Sequence, residues 1–440
     1  MTTAVASEHG EARLPPLLDE LRWRGLLNDH TPGLPARLAV DPAITGYNGF
    51  DPSGPSLHVG HLIPIFGLLH LQRHGGLPVA LVGGATGMIG DPSGRSSERS
   101  LLDEETLARN VAAVRGQLER FLDFEGSRGA RLVNNLDWLG SVGMLAFLRD
   151  VGKHFTIPYM LAKDSVQLRL AGGLSYTEFS YMLLQAADFL HLYRHHGVEL
   201  QMGGADQWGN ITAGLELIRR VEGGGAGEDL AHGISYPLLT GSRGEKFGKT
   251  EHASVWLDPT MTTPYEFYQF WVNAGDAEVG SYLRLFTLLD RETIDGLEAE
   301  QAARPETRAA QHALALDITA RTHGEATAHR VVRLSEAVFG GRLAGLDPDM
   351  LRFAIDQLPT TSLDRQQLAT GVPAAHFAVA SGAAPSLSQA RRLIAQGGFY
   401  VDDVRVTDPD FAVAGSGERP IVVRAGRRDY RLVRASEPPP

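Results

Sequence analysis

Over roughly the first 260 residues, short apolar runs that end at glycine alternate with longer stretches of helical spacing, and this alternation restricts the fold more than any other feature. "AITGYNGFD" reads as a strand ending in a glycine turn. "SLHVGHLIPIFGLLHLQRHGG" reads as a helix with Ser56 as N-cap and Gly75–Gly76 as its stop. "LPVALVGGATG" has the continuous apolar run of a buried parallel strand and enters a glycine-rich loop; "ARLVNNLDWL" supplies a third strand. "LSYTEFSYMLLQAADFLHLYRHHG" spaces its apolar residues as a long amphipathic helix, and "VELQMGGADQWGNITAGLELIRRV" repeats strand, glycine turn, helix. Strands alternating with helices form an open parallel sheet, whose ligands sit at the carboxyl ends of the strands.

The pattern changes after "WLDPTMTTP". Residues 264–345 carry helical stretches and almost no strand signal, residues 346–373 scatter Pro and Gly without a period, and residues 374–440 give a helix pair followed by short strands. The expected class is therefore α/β: a Rossmann-like parallel-sheet domain over 1–260, a helical domain over 261–345, a linker over 346–373 and a small α+β domain over 374–440. No apolar run approaches the ~18 residues that span a bilayer, so no membrane partner is expected. The start, "MTTAVASEHGEARLPPLLDE", has neither the apolar core of a signal peptide nor the basic character of a transit peptide. The chain has no cysteine, which excludes disulfides, thiolate metal sites and cysteine nucleophiles and suits a cytoplasmic location. A net charge of −11 argues against nucleic-acid binding over the whole surface, but Arg outnumber acids in 374–440, so a local RNA patch is possible there.

Several groups of residues carry chemistry. His58 and His61, three apart at a helix start in "DPSGPSLHVGH", would aim two imidazoles at one place beside free N–H groups, an arrangement suited to phosphate; two surface histidines would read the same. In "GGATGMIGDPSGRSSER" the glycines permit close backbone approach, Asp91 ends a strand-loop, and Arg95 and Arg99 offer guanidinium groups to phosphate; a flexible polar loop is the plainer alternative. Tyr181, Gln185 and Asp188 share one face of the long helix, either to bind a small zwitterion or as a solvent stripe. "GGADQWGN" puts Asp206 and Gln207 just past a strand, where a carboxylate commonly takes ribose hydroxyls. "GSRGEKFGKT" ends like a P-loop, but the required first glycine is Arg243. Its lysines are unusual instead: Lys246 and Lys249 are two of only four in a chain that otherwise uses Arg. Lys is a flexible point charge and Arg a rigid fork, so this site favours the former; a solvated surface turn would read the same.

Together these motifs, in this order, resemble the class I aminoacyl-tRNA synthetases. His58-Val59-Gly60-His61 stands for the HIGH motif and Lys246-Phe247-Gly248-Lys249-Thr250 for KMSKS. "YNGFDPSGPSLHVGHLIP", "ALVGGATGMIGDPSG", "TEFSYMLLQAADF" and "GGADQWGNITAGLELI" look like the bacterial tyrosyl-tRNA synthetases, and the C-terminal segment is similar to S4-type RNA-binding domains. The resemblance covers nearly the whole chain. It implies a homodimer that activates L-tyrosine with ATP and Mg2+, without a tightly bound cofactor or resident metal, and passes it to the 3′ end of tRNA.

By motif position, Tyr47 and Asp188 would bind the phenol hydroxyl, and Asp91, Tyr181 and Gln185 the ammonium. Gln207 would position the carboxylate, and Gly49, Asp51, Gly204 and Asp206 the adenosine. His58, His61, Lys246, Lys249 and Thr250 would stabilise charge as pyrophosphate leaves, aided by Ser53, Arg95 and Arg99. Arg391, Arg392, Arg424, Arg427 and Arg428, with Arg431 and Arg434, would meet RNA phosphates. Polar groups built for a hydroxyl are left unpaired by phenylalanine; the tyrosyl-tRNA synthetases are themselves the known example, with about 10⁵-fold rejection. No inserted editing domain is evident within 41–260. Pro64 departs from the family pattern; it lies in the expected helix's second turn and would remove a hydrogen bond to Gly60. Tryptophanyl-tRNA synthetase, which shares fold and motifs, is the nearest enzymatic alternative. A catalytically idle RNA-binding relative is another, and a tyrosine-activating enzyme of secondary metabolism would lack the C-terminal domain.

Overall fold

The computed structural model describes residues 14–91, 103–163, 166–167, 170, 173–223, 229–239, 254–427 and 429–436. It contains two compact units: residues 1–257 with 277–298, and residues 258–276 with 299–440.

In the first unit, the described residues form a six-stranded sheet: β1 (Asp29–His30), β2 (Thr45–Phe50), β3 (Leu77–Val82), β4 (Arg131–Asn134), β5 (Leu200–Gly204) and β6 (His232–Tyr236), in the order β1-β6-β5-β2-β3-β4. β2 to β6 run parallel, and only the short β1 is antiparallel. The chain winds outward from β2 through β3 to β4, then crosses to β5 on β2's other side and continues to β6. The strand order thus reverses between β2 and β5, and a crevice opens there at the carboxyl ends.

The helices start and stop on readable signals. Tyr176–His196 is capped by Ser175, whose hydroxyl accepts from the Glu178 N–H, and ends at Gly197 with φ 66°, a left-handed conformation that glycine adopts without strain. Its apolar face joins the Trp208–Glu222 helix and the sheet in a core containing Phe189, Leu192, Leu217 and Ile218. β6 stops one residue before Pro237, which has no N–H for the ladder.

Two expectations change at the first crossover. Ser56 is not an N-cap; its hydroxyl donates to its neighbour's carbonyl, that of Leu57. The cap is His58, which opens a single 3₁₀ turn, Val59–His61, and the α-helix proper runs from Leu62 to Arg73. Pro64 is consequently the third α-helical residue, where an N–H would have no intrahelical partner, so no helix bond is lost.

The second unit contains helices Pro264–Val272, Ala309–His323 and Glu325–Gly340. Residues 346–373, expected as a linker, are structured. They supply a helix, Pro348–Gln357, capped by Asp347, and then strand β7 (Thr360–Asp364). β7 joins β8 (Phe399–Val401), β9 (Val404–Arg405), β10 (Ile421–Ala425) and β11 (Asp429–Ser436) in a sheet ordered β9-β8-β10-β11-β7, with β7 and β11 parallel. β7 pairs only with a strand about 70 residues further on, so no local pattern announces it. The helices Ala374–Ala380 and Leu387–Ala395 share a core with this sheet through Phe377, Ile394 and Phe399.

Candidate active site

The crevice between β2 and β5 holds a cavity of about 840 Å³ lined by Tyr47, Gly49, Asp51, Ser53, His58, His61, Asp91, Tyr181, Gln185, Asp188, Gly204, Asp206 and Gln207. The expected residues that are described in this unit thus meet in one place. Arg95, Arg99, Lys246, Lys249 and Thr250 lie outside the described residues. The described residues flanking the lysine motif, Leu239 and Ser254, both line the cavity.

At the deep end, Asp188 is 1% exposed. One carboxylate oxygen accepts from Asn135 Nδ2 at 2.8 Å and the other from Trp138 Nε1 at 2.8 Å. Burial pushes its pKa up to about 7, opposed by these two N–H donors, while the Asp51 charge adds to the rise. Tyr47 is fully buried, and its hydroxyl has no hydrogen-bond partner among the described residues. Burial raises its pKa well above the usual phenol value, with the Asp188 charge adding. A buried hydroxyl without a partner is costly in the free protein, and it marks where a ligand's polar atom belongs.

The middle of the cavity is a polar lattice. Tyr181 donates its hydroxyl to Asp51 Oδ2 at 3.0 Å, and Thr86 donates to Asp51 Oδ1 at 3.0 Å. With its proton committed, the Tyr181 oxygen presents only lone pairs to a ligand, as an ammonium group requires. Gly83 leaves room for this arrangement: a Cβ there would lie 2.4 Å from both the Asp51 and Thr86 oxygens. Gln207 Nε2 donates to Asp91 Oδ2 at 2.7 Å, and Asn210 Nδ2 donates to Gln185 at 2.9 Å and Gln207 at 3.2 Å.

At the shallow end the two histidines fix each other. His58 Nδ1 accepts the Gly60 N–H at 3.0 Å, and His61 Nδ1 accepts the His58 N–H at 3.1 Å. This is a capping box made of imidazoles, with ring centroids 4.1 Å apart. With Nδ1 accepting in both rings, the proton of each neutral ring is on Nε2. Residues 255–257 are hydrogen-bonded to this turn, Val59 N–H to the Val255 carbonyl at 3.0 Å and Leu257 N–H to the Leu57 carbonyl at 2.9 Å.

Sequence reading missed Asn135, Trp138, Thr86 and Asn210. Thr86 and Asn210 lie within quoted motifs but carried no expected role there, and all four meet the site only where β3, β4 and two helices converge. In the C-terminal unit, Arg391, Arg392 and Arg427 are exposed, while Arg428 lies outside the described residues. Arg424 is occupied internally, its guanidinium 3.5 Å over the Tyr400 ring centroid and donating to the Gly426 carbonyl. Arg431 pairs with Asp429, and Arg434 donates to Ser362.

Residues 41–340 match the family described as tRNA synthetases class I (W and Y), and residues 377–418 match the S4 domain. The chain is 50% identical to the tyrosine–tRNA ligase of Roseiflexus castenholzii over 425 residues, covering 95% of this chain and 99% of that one. It is 47% identical to that of Geobacillus stearothermophilus over 424 residues, with the same coverage. Among solved structures, the C-terminally truncated mitochondrial tyrosyl-tRNA synthetase of Aspergillus nidulans superposes with a TM-score of 0.67 at 31% identity, over 76% of this chain and 96% of that one.

Proposed function

The chain belongs to the class I tRNA synthetases of the tryptophan and tyrosine group, and on that footing we infer that it is a tyrosine–tRNA ligase. The observation that carries the choice of amino acid is the buried Tyr47 hydroxyl beside a doubly held Asp188. A phenol hydroxyl can both accept from Tyr47 and donate to Asp188. The indole N–H of tryptophan can only donate, and phenylalanine can do neither.

The ligand then runs outward through the cavity. Its ammonium meets Asp91, Tyr181 and Gln185, and Gln207 holds its carboxylate. Gly49, Ser53, Gly204 and Asp206 receive the nucleotide, and Asp51 orients Tyr181 while lining the same wall. A tyrosine carboxylate oxygen attacks the α-phosphorus of MgATP, the bond to the bridging oxygen breaks, and pyrophosphate leaves. A ribose hydroxyl at the 3′ end of tRNA then attacks the tyrosyl carbonyl and releases AMP. No residue of the chain has to act as acid or base in adenylate formation; positioning and charge stabilisation suffice. His58 and His61 supply Nε2–H donors to the leaving phosphates, with Lys246, Lys249, Thr250, Arg95 and Arg99 as the further groups.

The same reading makes the enzyme a cytoplasmic homodimer that binds tRNA partly through its S4 domain, with Arg391, Arg392 and Arg427 as the phosphate contacts. Among the described residues, no helix is long and apolar enough to cross a membrane. An apolar surface between residues 142 and 157, with Met144 70% and Leu145 84% exposed, suits a second copy. ATP–pyrophosphate exchange with each of the twenty amino acids, without tRNA, tests the assignment. Exchange with tyrosine alone supports it, exchange with tryptophan overturns the roles of Tyr47 and Asp188, and no exchange shifts the function to RNA binding.

A further inference from the structure

We propose that His191 is a positioning residue for tyrosine selection: stacked flat on Trp138, it holds the indole N–H against the Asp188 carboxylate. This rests on the reading of Asp188 as the acceptor of the phenol hydroxyl.

Of the two donors that hold Asp188, Asn135 is secured by its surroundings. It is fully buried, its amide oxygen accepts the Ala85 N–H at 2.7 Å, and its nitrogen also reaches Thr86 at 3.1 Å. Among the described residues Trp138 has no such polar anchorage: its indole N–H donates to Asp188, and the residue is only half-buried. Its ring is covered by His191, with centroids 4.4 Å apart and planes 9° from parallel. His191 lies three residues beyond Asp188, so one helix face carries both the reader of the hydroxyl and the clamp on its donor. His195 packs behind His191 at 4.5 Å, and His196 lies at 6.0 Å. Arg131 on β4 is the charged group facing this cluster from the sheet, donating to the His196 carbonyl at 3.5 Å. Burial, with the charges of His195 and His196 adding, lowers the His191 pKa to about 4. The ring therefore stacks in its neutral form throughout the working pH range. Without it, the indole can turn and one oxygen of Asp188 loses its donor.

The test is pyrophosphate exchange with tyrosine and with phenylalanine for His191→Ala and His191→Phe, each checked by thermal unfolding. We expect His191→Ala to lower kcat/KM for tyrosine roughly threefold to tenfold through KM, with much less effect on phenylalanine. The pH midpoint of the tyrosine KM should also move upward, because Asp188 has lost a donor that favours its charged form. His191→Phe keeps an aromatic face on Trp138 and should restore most of both. The proposal is overturned if His191→Ala behaves as wild type, if it lowers both substrates equally, or if a stably folded His191→Phe restores nothing. Asp188→Asn separates the two levels of inference. If the preference for tyrosine survives that change, the reading of Asp188 is itself wrong. If it collapses there yet stands in His191→Ala, only the role of His191 falls.

Discussion

The two ends of the cavity are built on opposite principles. At the deep end, polar side chains are held by other side chains: Asp188 by Asn135 and Trp138, Tyr181 by Asp51, and Asp51 by Thr86. At the shallow end, His58 and His61 are held by backbone N–H groups of their own turn. On the proposed function, the deep end would read a neutral hydroxyl, for which unpaired buried groups make the wrong ligand costly. The shallow end would then accommodate charge as it moves from ATP to pyrophosphate, which calls for donors held in a rigid turn.

If this contrast is right, variants at the two ends will fail in different kinetic constants. The largest loss should come from Asp188→Asn: tyrosine kcat/KM in pyrophosphate exchange falling about 10³-fold or more, with phenylalanine barely changed. Equal losses for both substrates would break the comparison. Next, Lys249→Ala and His61→Ala should each cost about 10²-fold in kcat while the tyrosine KM moves little, read from the same assay at saturating ATP. His61→Ala should in addition destabilise the protein by about 1 kcal/mol in urea unfolding, because the capping box loses the bond from the His58 N–H.

Tyr47→Phe sharpens the contrast through effects of opposite sign. Removing a buried hydroxyl that has no partner should stabilise the free protein by about 1 kcal/mol, while the tyrosine KM rises about tenfold. Loss of stability together with unchanged KM would show that the hydroxyl serves packing alone. A smaller effect, a few-fold at most, is set by pH. Asp188 accepts the phenol proton best as a carboxylate, so the tyrosine KM should fall as pH rises through about 7, with the ATP KM flat. The free protein should respond in the reverse direction. A carboxyl whose pKa is raised by folding contributes its stability fully below the ordinary value near ~4 and loses it as pH climbs through about 7. Asp188→Asn should flatten that part of the melting-temperature profile. Smallest of all, Pro64→Thr should leave the unfolding midpoint nearly unchanged, since no helix hydrogen bond is at stake, and any kinetic change should be confined to the ATP KM.

What could be read from the chain, and what could not, divides along similar lines. The alternation of strands and helices, the glycine turns and the spacing of Tyr181, Gln185 and Asp188 are local, and the parallel sheet with its crevice follows from them. The motif-bearing residues described in the catalytic unit share one cavity because each motif sits at a strand end or on a helix face that the fold aims there. The helix start was misplaced at Ser56 because an imidazole capping another imidazole's turn is no common sequence signal. β7 was missed because a strand paired with a partner about 70 residues away has no period of its own to betray it. Arg424, one of several arginines with the same expected role, is distinguished from Arg391 only by Tyr400 beneath it.

The sequence by itself determined the parallel α/β plan, the order of the motifs and the shared helix face of Tyr181, Gln185 and Asp188, because these depend on periodicity and on spacing within single elements; Tyr47, Gly49, Ser53 and Gly204 were expected at the crevice only from the family resemblance. Only the tertiary structure decided how those side chains are held. Asn135 and Trp138 reach Asp188, and Thr86 reaches Asp51, across elements some 35 to 53 residues apart in the chain. The titration of Asp188 and the unpaired state of the Tyr47 hydroxyl have the same origin. Desolvation and hydrogen-bond partnership are properties of a packed environment, and no window of sequence contains that environment.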